Sequence, residues 1–372
     1  MKRRGFTLIE LMVGIALGSL IVMAAVGFAG HQVTTLGRSN QTLEMTQVGR
    51  AALDMIADDV LHAGVGVGYQ SDGTFAGIVT TGSFLRNGVT FDGDNRVITL
   101  NEGNGMVATT TDDLSLMLAD GEEITIVAFD PGAQTGQICA PADGGVRLFE
   151  NPTAKVVMRD QFGLAARSAL MTTTTPVPSA GTTACQNGAS CEVNGATVGC
   201  MDVQFVADPQ TLFETDAAAI NANYEGGSIA SNFRQVTWFV SALPSGRSEL
   251  RRVSSDDALC AGLADPNCGT VIADDVDAIH FRVYTFTAGA WVDVTNAGIA
   301  ILSRDPIRVD LELVVRARAA DIEGRPHNMP TFVLEGNLCE FGGAAPCGTS
   351  VVERAVFRTS VELKNSGYMS YL

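Results

Sequence analysis

Cysteine is the residue through which this chain could most readily do chemistry, and it has eight: Cys139, Cys185, Cys191, Cys200, Cys260, Cys268, Cys339 and Cys347. No C-x-x-C pair occurs. Instead C-x7-C occurs twice, as "CAGLADPNC" at Cys260/Cys268 and "CEFGGAAPC" at Cys339/Cys347, in Gly, Ala and Pro-rich text that reads as loop. An even count without metal-type spacing predicts disulfides in an oxidising compartment, two of them local staples. Cys139, Cys185, Cys191 and Cys200 would supply two more bridges, in a pairing that spacing leaves open. A zinc centre wants closer pairs and supporting histidines, so no metal is expected.

Other reactive constellations are thin. Only Lys2, Lys155 and Lys364 are lysines, and neither Lys155 nor Lys364 follows the glycine spacing of a P-loop or precedes Ser or Thr. Gly103-x-Gly105-x-x-Ala108 imitates a dinucleotide fingerprint, but "TTTDD" follows where a helix should open, so a turn is expected. No H-E-x-x-H or G-x-S-x-G appears, and His31, His62, His280 and His327 fall in unrelated contexts. Asp92, Asp94 and Asn95 in "FDGDNR" offer hard oxygen ligands for calcium but lack the rest of the binding loop, and read as a hairpin turn. The chain therefore reads as neither an enzyme nor a cofactor protein.

The remaining anomaly is Glu10. From Leu11 through Gly30 there is no Asp, Glu, Lys or Arg, about the length a helix needs to cross a bilayer, and a carboxylate stands at its edge. Lys2, Arg3 and Arg4 precede the run, which places the N-terminus in the cytoplasm and the rest outside. From Gln41 to Ala63 the apolar Leu53, Ile56 and Val60 recur at helical spacing, with Gly49 and Ala52 on the same stripe. That half would lie on a sheet, with Arg50, Asp54 and Asp58 facing solvent. Gly14, Gly18, Gly27 and Gly30 weaken the membrane half, or allow close helix contacts or local unwinding.

Beyond residue 64 the text breaks into short runs bounded by Gly, Asp, Asn and Thr, the pattern of antiparallel β structure. In "IRVDLELVV" Ile307, Val309, Leu311, Leu313 and Val315 share one face; "VFRTSVELK" and "IHFRVYTF" alternate likewise, and each reads as half-buried. "RQVTWFVS", "RVITL", "LSLML", "EITIVAF" and "KVVM" add further strands. The stretch from about 171 to 230, rich in Thr, Ser, Gly and Ala with three cysteines, reads as a disulfide-pinned insertion. One domain with an insertion and two smaller β subdomains both fit. The net charge of −17 leaves nothing basic to attract nucleic acid.

The stretch "RRGFTLIELM" resembles the N-terminus of type IV pilin precursors, in which a short basic leader ends in glycine, phenylalanine follows, and a glutamate stands fifth in the mature chain. The resemblance implies cleavage between Gly5 and Phe6 by a prepilin peptidase, methylation of the Phe6 amine, and storage in the inner membrane. It also implies that Glu10 pairs with the Phe6 ammonium of a neighbouring subunit. A proline common in major pilins is replaced here by Gly27. "ALDMIADDVLHAGVGVGY", "SELRRVS", "VDAIHFRVYTF", "IRVDLELVVRA" and "RAVFRTSVELKN" resemble, in order, segments of PilW-type minor pilins, leaving the middle third uncovered.

The fold implied is α+β and pilin-like: leader 1–5, a helix over 6–63 with its membrane segment at about 11–30, and a periplasmic β-rich domain over 64–372. The function implied is structural. With other minor pilins and the major pilin, on the inner-membrane assembly platform, such a subunit would prime fibre growth and end at or near the pilus tip on the cell surface. The alternatives are a J-type minor pseudopilin of a type II secretion system, and a tip adhesin acting through the 171–230 insertion.

Overall fold

The structure is a computed structural model. It describes residues 8–64, 78–79, 83–86, 89–92, 96–101, 106–119, 123–139, 154–159, 161, 166–173, 185, 191–193, 196–207, 224–230, 233–243, 245, 247–254, 269–294, 306–318, 327–328, 349–350 and 352–363.

One helix, Leu8–Leu61, carries both the apolar run and the amphipathic stretch. At 1.5 Å per residue it is about 80 Å long. It buries Met45, Gly49, Ala52, Leu53, Ile56 and Val60, the stripe that the helical spacing predicts, while Arg50, Asp54 and Asp58 stay exposed. The stripe closes a core between two antiparallel sheets. One has the order Ile78–Val79, Leu114–Ala119, Phe233–Ala242, Ser248–Ser254, Thr270–Asp274. The other runs Ala290–Asp293, Val276–Thr287, Ile307–Arg316, Arg354–Leu363. Leu116, Trp238, Phe281, Leu311 and Val361 meet the helix in this core.

Gly49 is needed where it stands. The Phe357 ring lies so close to the helix backbone that a Cβ at this position would collide with it. Glycine here is a packing requirement, set by the strand Arg354–Leu363 from the far end of the chain.

Between two strands of the first sheet the chain makes a separate closed barrel. Its circular order is Ala166–Thr173, Cys200–Ala207, Thr135–Cys139, Glu123–Asp130, Ser228–Ala230, Ala154–Arg159. Closure leaves no sheet edge, and Ile126, Ile138, Val156, Met158, Met171, Phe205 and Ile229 fill a core distinct from that under the helix. The sequence suggested an insertion starting at about residue 171. Strand pairing starts this unit at Glu123, and Met171 lies inside one of its strands.

The strand Ile307–Arg316 differs from its sequence expectation. Alternation holds through Leu311, but Glu312, Val314 and Arg316 are buried as well, so the C-terminal half is covered on both faces. Partners distant in sequence account for this: Glu312 accepts from Arg358 at 2.6 Å, and Arg316 faces Asp275 and Asp277 at 3.6 and 3.5 Å.

Candidate functional site

The exposed half of the helix is where this fold departs most from a soluble protein. Leu11, Val13, Ile15, Leu17, Ile21, Val26 and Phe28 are among a run of exposed apolar side chains reaching Leu36. Among the described residues this is the helix long and apolar enough to cross a membrane. Water cannot be the intended surroundings of so much contiguous apolar surface. A Cβ added at Gly14, Gly18, Gly27, Gly30 or Gly37 would meet nothing within 4 Å, so these glycines serve no contact inside the described chain.

Glu10 sits in the first helical turn and is exposed. An acid there is favoured by the positive end of the helix dipole. Thirty-five residues separate it from Met45, the first buried helix residue, which puts it about 50 Å from the body. The carboxylate is thus presented at the far end of the exposed half of the helix. Gly5 and Phe6 lie outside the described residues.

The helix needs a firm base. Asp59 provides it by accepting from the Trp238 indole at 2.9 Å and from Arg252 Nε at 2.7 Å and Nη2 at 3.2 Å. Trp238 and Arg252 are direct cross-strand partners, so the sheet register delivers both donors to one carboxylate. A second cluster fixes the crossing between the sheets. Asp277 is the extra residue of a bulge, since Val276 opposes Val315 and Ala278 opposes Val314. It accepts from Arg354 at 2.7 Å and Ser248 at 2.8 Å, with Arg316 close by. Burial pushes the Asp277 carboxyl up, and the Arg354 and Arg316 guanidiniums with the Ser248 hydroxyl pull it back. Two residues earlier Asp275, at a left-handed φ of 60°, takes Arg247 through both carboxylate oxygens at 3.0 and 2.7 Å. The hydrogen bonds and charge of Asp275 raise the Arg247 pKa.

Of the four histidines, His31 and His62 are exposed on the helix, His327 begins a two-residue strand, and His280 is buried 3.6 Å from Asp112. Asp112 is occupied structurally, accepting from the Phe281 amide at 3.0 Å. The fingerprint glycines Gly103 and Gly105, and Asp94 and Asn95 of the candidate calcium turn, lie outside the described residues.

The cysteine pairing that spacing left open reads Cys139 with Cys191 and Cys185 with Cys200, at Cα separations of 5.5 and 5.1 Å. Both bridges staple the barrel. Cys260, Cys268, Cys339 and Cys347 lie outside the described residues. Sequence reasoning missed Asp59, although it lies beside the buried stripe, seven residues after Ala52 and three after Ile56. It also missed Asp277, where no periodicity reports a bulge.

Residues 1–26 match the model of the prokaryotic N-terminal methylation motif, the prepilin-type signature. No curated protein matches the chain. One solved structure similar to it is a type IV-like pilin from Thermus thermophilus, with 12% identity and a TM-score of 0.19 over 59% of this chain and 89% of that one. So loose a superposition adds nothing to what the helix and sheets already show.

Proposed function

We propose that this chain is a minor pilin of the PilW type, which joins other minor pilins in an inner-membrane priming complex and ends at or near the pilus tip. The observation that carries the reading is Glu10 at the head of an exposed apolar helix, inside a methylation-motif match over residues 1–26 that also takes in Gly5 and Phe6. A carboxylate at the centre of a bilayer costs roughly 2.5 to 3.5 kcal/mol, and less near the interface, so its retention calls for a partner. The methylated Phe6 amine of a neighbouring subunit is the cation the motif supplies. The helix face from Leu8 to Leu36 then passes from lipid to neighbouring helices, and the open glycines let those helices approach closely.

The barrel supports the tip position. It is a bulky unit with its own core, and such bulk fits an end of a fibre better than a tightly packed shaft. The barrel's separateness also keeps a second reading alive, in which it binds a surface as an adhesin.

Mass spectrometry of fibres sheared from the cell surface tests the proposal. The expected result is a peptide beginning at N-methylated Phe6 in the sheared fraction. Processed chain confined to the membrane fraction would instead point to a short secretion pseudopilus. Deleting the barrel separates priming, which would lower fibre number, from adhesion, which would spare fibres and abolish attachment.

A further inference from the structure

The five-stranded sheet ends in the strand Thr270–Asp274, which pairs on one side with Ser248–Ser254 and on the other meets no strand among the described residues. The backbone N–H and C=O groups along such an edge are a template for one more strand. Lysine and proline are common devices for blunting an edge, and "TVIAD" contains neither. A bulge at Ile272 twists the strand without supplying its outer edge with a partner.

Beside this edge a groove of about 580 Å³ opens between the strand and the helix. Its helix wall is a single face, on which Glu44, Val48, Ala51 and Met55 follow one another at helical spacing. Val271 and Asp274 line the strand wall. Among the described residues beyond Met45, the exposed large apolar side chains are Met55, Leu61, Val206, Val271, Phe286 and Val292. Single exposed apolar residues are ordinary, but Met55 at 46% and Val271 at 42% stand on opposite walls of one cleft. At the rim Glu44 and Arg318 lie 3.6 Å apart and offset each other. Asp274 is exposed, and the nearby Arg247 gives both its carboxylate bonds to Asp275, so Asp274 has no ion pair among the described residues.

We propose that this groove binds an extended, basic and apolar segment of another protein chain, which adds a strand beside Thr270–Asp274. Apolar side chains at alternate positions enter between Val271 and Met55, and a lysine or arginine stands opposite Asp274. The walls dictate this occupant. Unpaired main-chain groups select an extended backbone, because a helix would leave them unsatisfied, and the two-residue period of a strand sets the alternation. Charge selects against a second copy: at a net −17 the chain repels itself and attracts a basic segment. The groove uses neither Phe6 nor Glu10, so it and the assembly reading stand or fall separately.

The test uses the full chain in nanodiscs of zwitterionic lipid and a short peptide alternating valine with lysine. The expected result is saturable binding with new protection from hydrogen exchange at the Thr270–Asp274 amides. Two further peptides, N-methylated at every valine or at every lysine, keep all charges and side chains. One of them loses the N–H groups that face the strand and should bind about tenfold more weakly or worse. Asp274→Lys, at an exposed position, should weaken the lysine peptide and strengthen a valine–glutamate one. Equal binding of all three lysine peptides, protection at Ala290–Asp293 instead of Thr270–Asp274, or indifference to Asp274→Lys overturns the proposal. Self-association of the chain that protects Thr270–Asp274 without peptide would assign the groove to a second copy and overturn it as well.

Discussion

Asp59 on the helix and Arg252 on the five-stranded sheet are joined through both carboxylate oxygens, 193 residues apart in the chain, with the Trp238 indole donating to the same group. This is a polar lock between the helix and the body. Asp59→Ala leaves a guanidinium and an indole N–H without their acceptor in a mostly covered site, and should cost about 3 kcal/mol. Thermal unfolding of the full chain in detergent measures it. Asp59→Asn, which keeps an acceptor, should lose less; equal losses would show that charge, not hydrogen bonding, holds the lock.

Gly49 and Phe357 bring helix and sheet into close approach in the core. Gly49→Ala gains helix propensity but forces the ring away, so a net loss of about 1–3 kcal/mol is expected. Combining it with Phe357→Leu should recover part of that loss, because the two sites share one volume. Strict additivity in the double-mutant cycle would mean that the ring had already moved.

How far the chain announced this fold depends on the range of the interaction. The stripe of Leu53, Ile56 and Val60 and the first half of Ile307–Arg316 follow local periods, and both were readable. Asp59 lies beside that stripe, so its facing the body is implied by the spacing, but its partner on a strand near residue 250 is not. Alternation could not reveal that Glu312 and Arg316 are covered, since the covering groups arrive from Arg358 and the Asp275–Asp277 corner. The barrel reaches beyond the 171–230 stretch for a similar reason. Its first strands read like any others, and it is the pairing of Thr135–Cys139 with Cys200–Ala207 that assigns them to the unit that holds the cysteines.

The bulge at Asp277 offers a sharper energetic test. Its carboxylate and the Arg354 guanidinium are each 1% exposed, so removing one takes a 2.7 Å charged contact from the other in a buried site. Asp277→Ala should cost about 3–5 kcal/mol, with Arg354→Ala similar. The double variant should be less harmful than the sum of the two, because the contact between the pair is lost only once. Chemical denaturation of all three variants gives the answer directly, and a sum of single effects in the double variant would remove the pair from the account.

The barrel bridges close loops of 52 and 15 residues. Loop-closure entropy assigns them about 4 and about 3 kcal/mol. Since the barrel core is distinct from the helix core, Cys139→Ser with Cys191→Ser should lower protection from hydrogen exchange in Glu123–Asp130 and Ala166–Thr173. Ile307–Arg316 and the buried helix stripe should keep theirs. Uniform loss of protection in both regions would mean that the two cores unfold as one.

Glu10 carries the functional reading, so its variants separate anchoring from assembly. Removing a carboxylate from the bilayer lowers the cost of insertion, and Glu10→Ala should therefore reach the membrane fraction at least as abundantly as the parent chain. Its yield in sheared fibres should fall sharply, because the neighbouring Phe6 ammonium would lose its partner in a medium where an unpaired charge is expensive. Glu10→Gln keeps the shape and the hydrogen-bonding capacity but not the charge. A yield near that of Glu10→Ala assigns the role to charge pairing, and a near-parental yield assigns it to hydrogen bonding. If Glu10→Ala itself enters fibres at the parental level, Glu10 is an interfacial side chain and the assembly role belongs elsewhere on the helix.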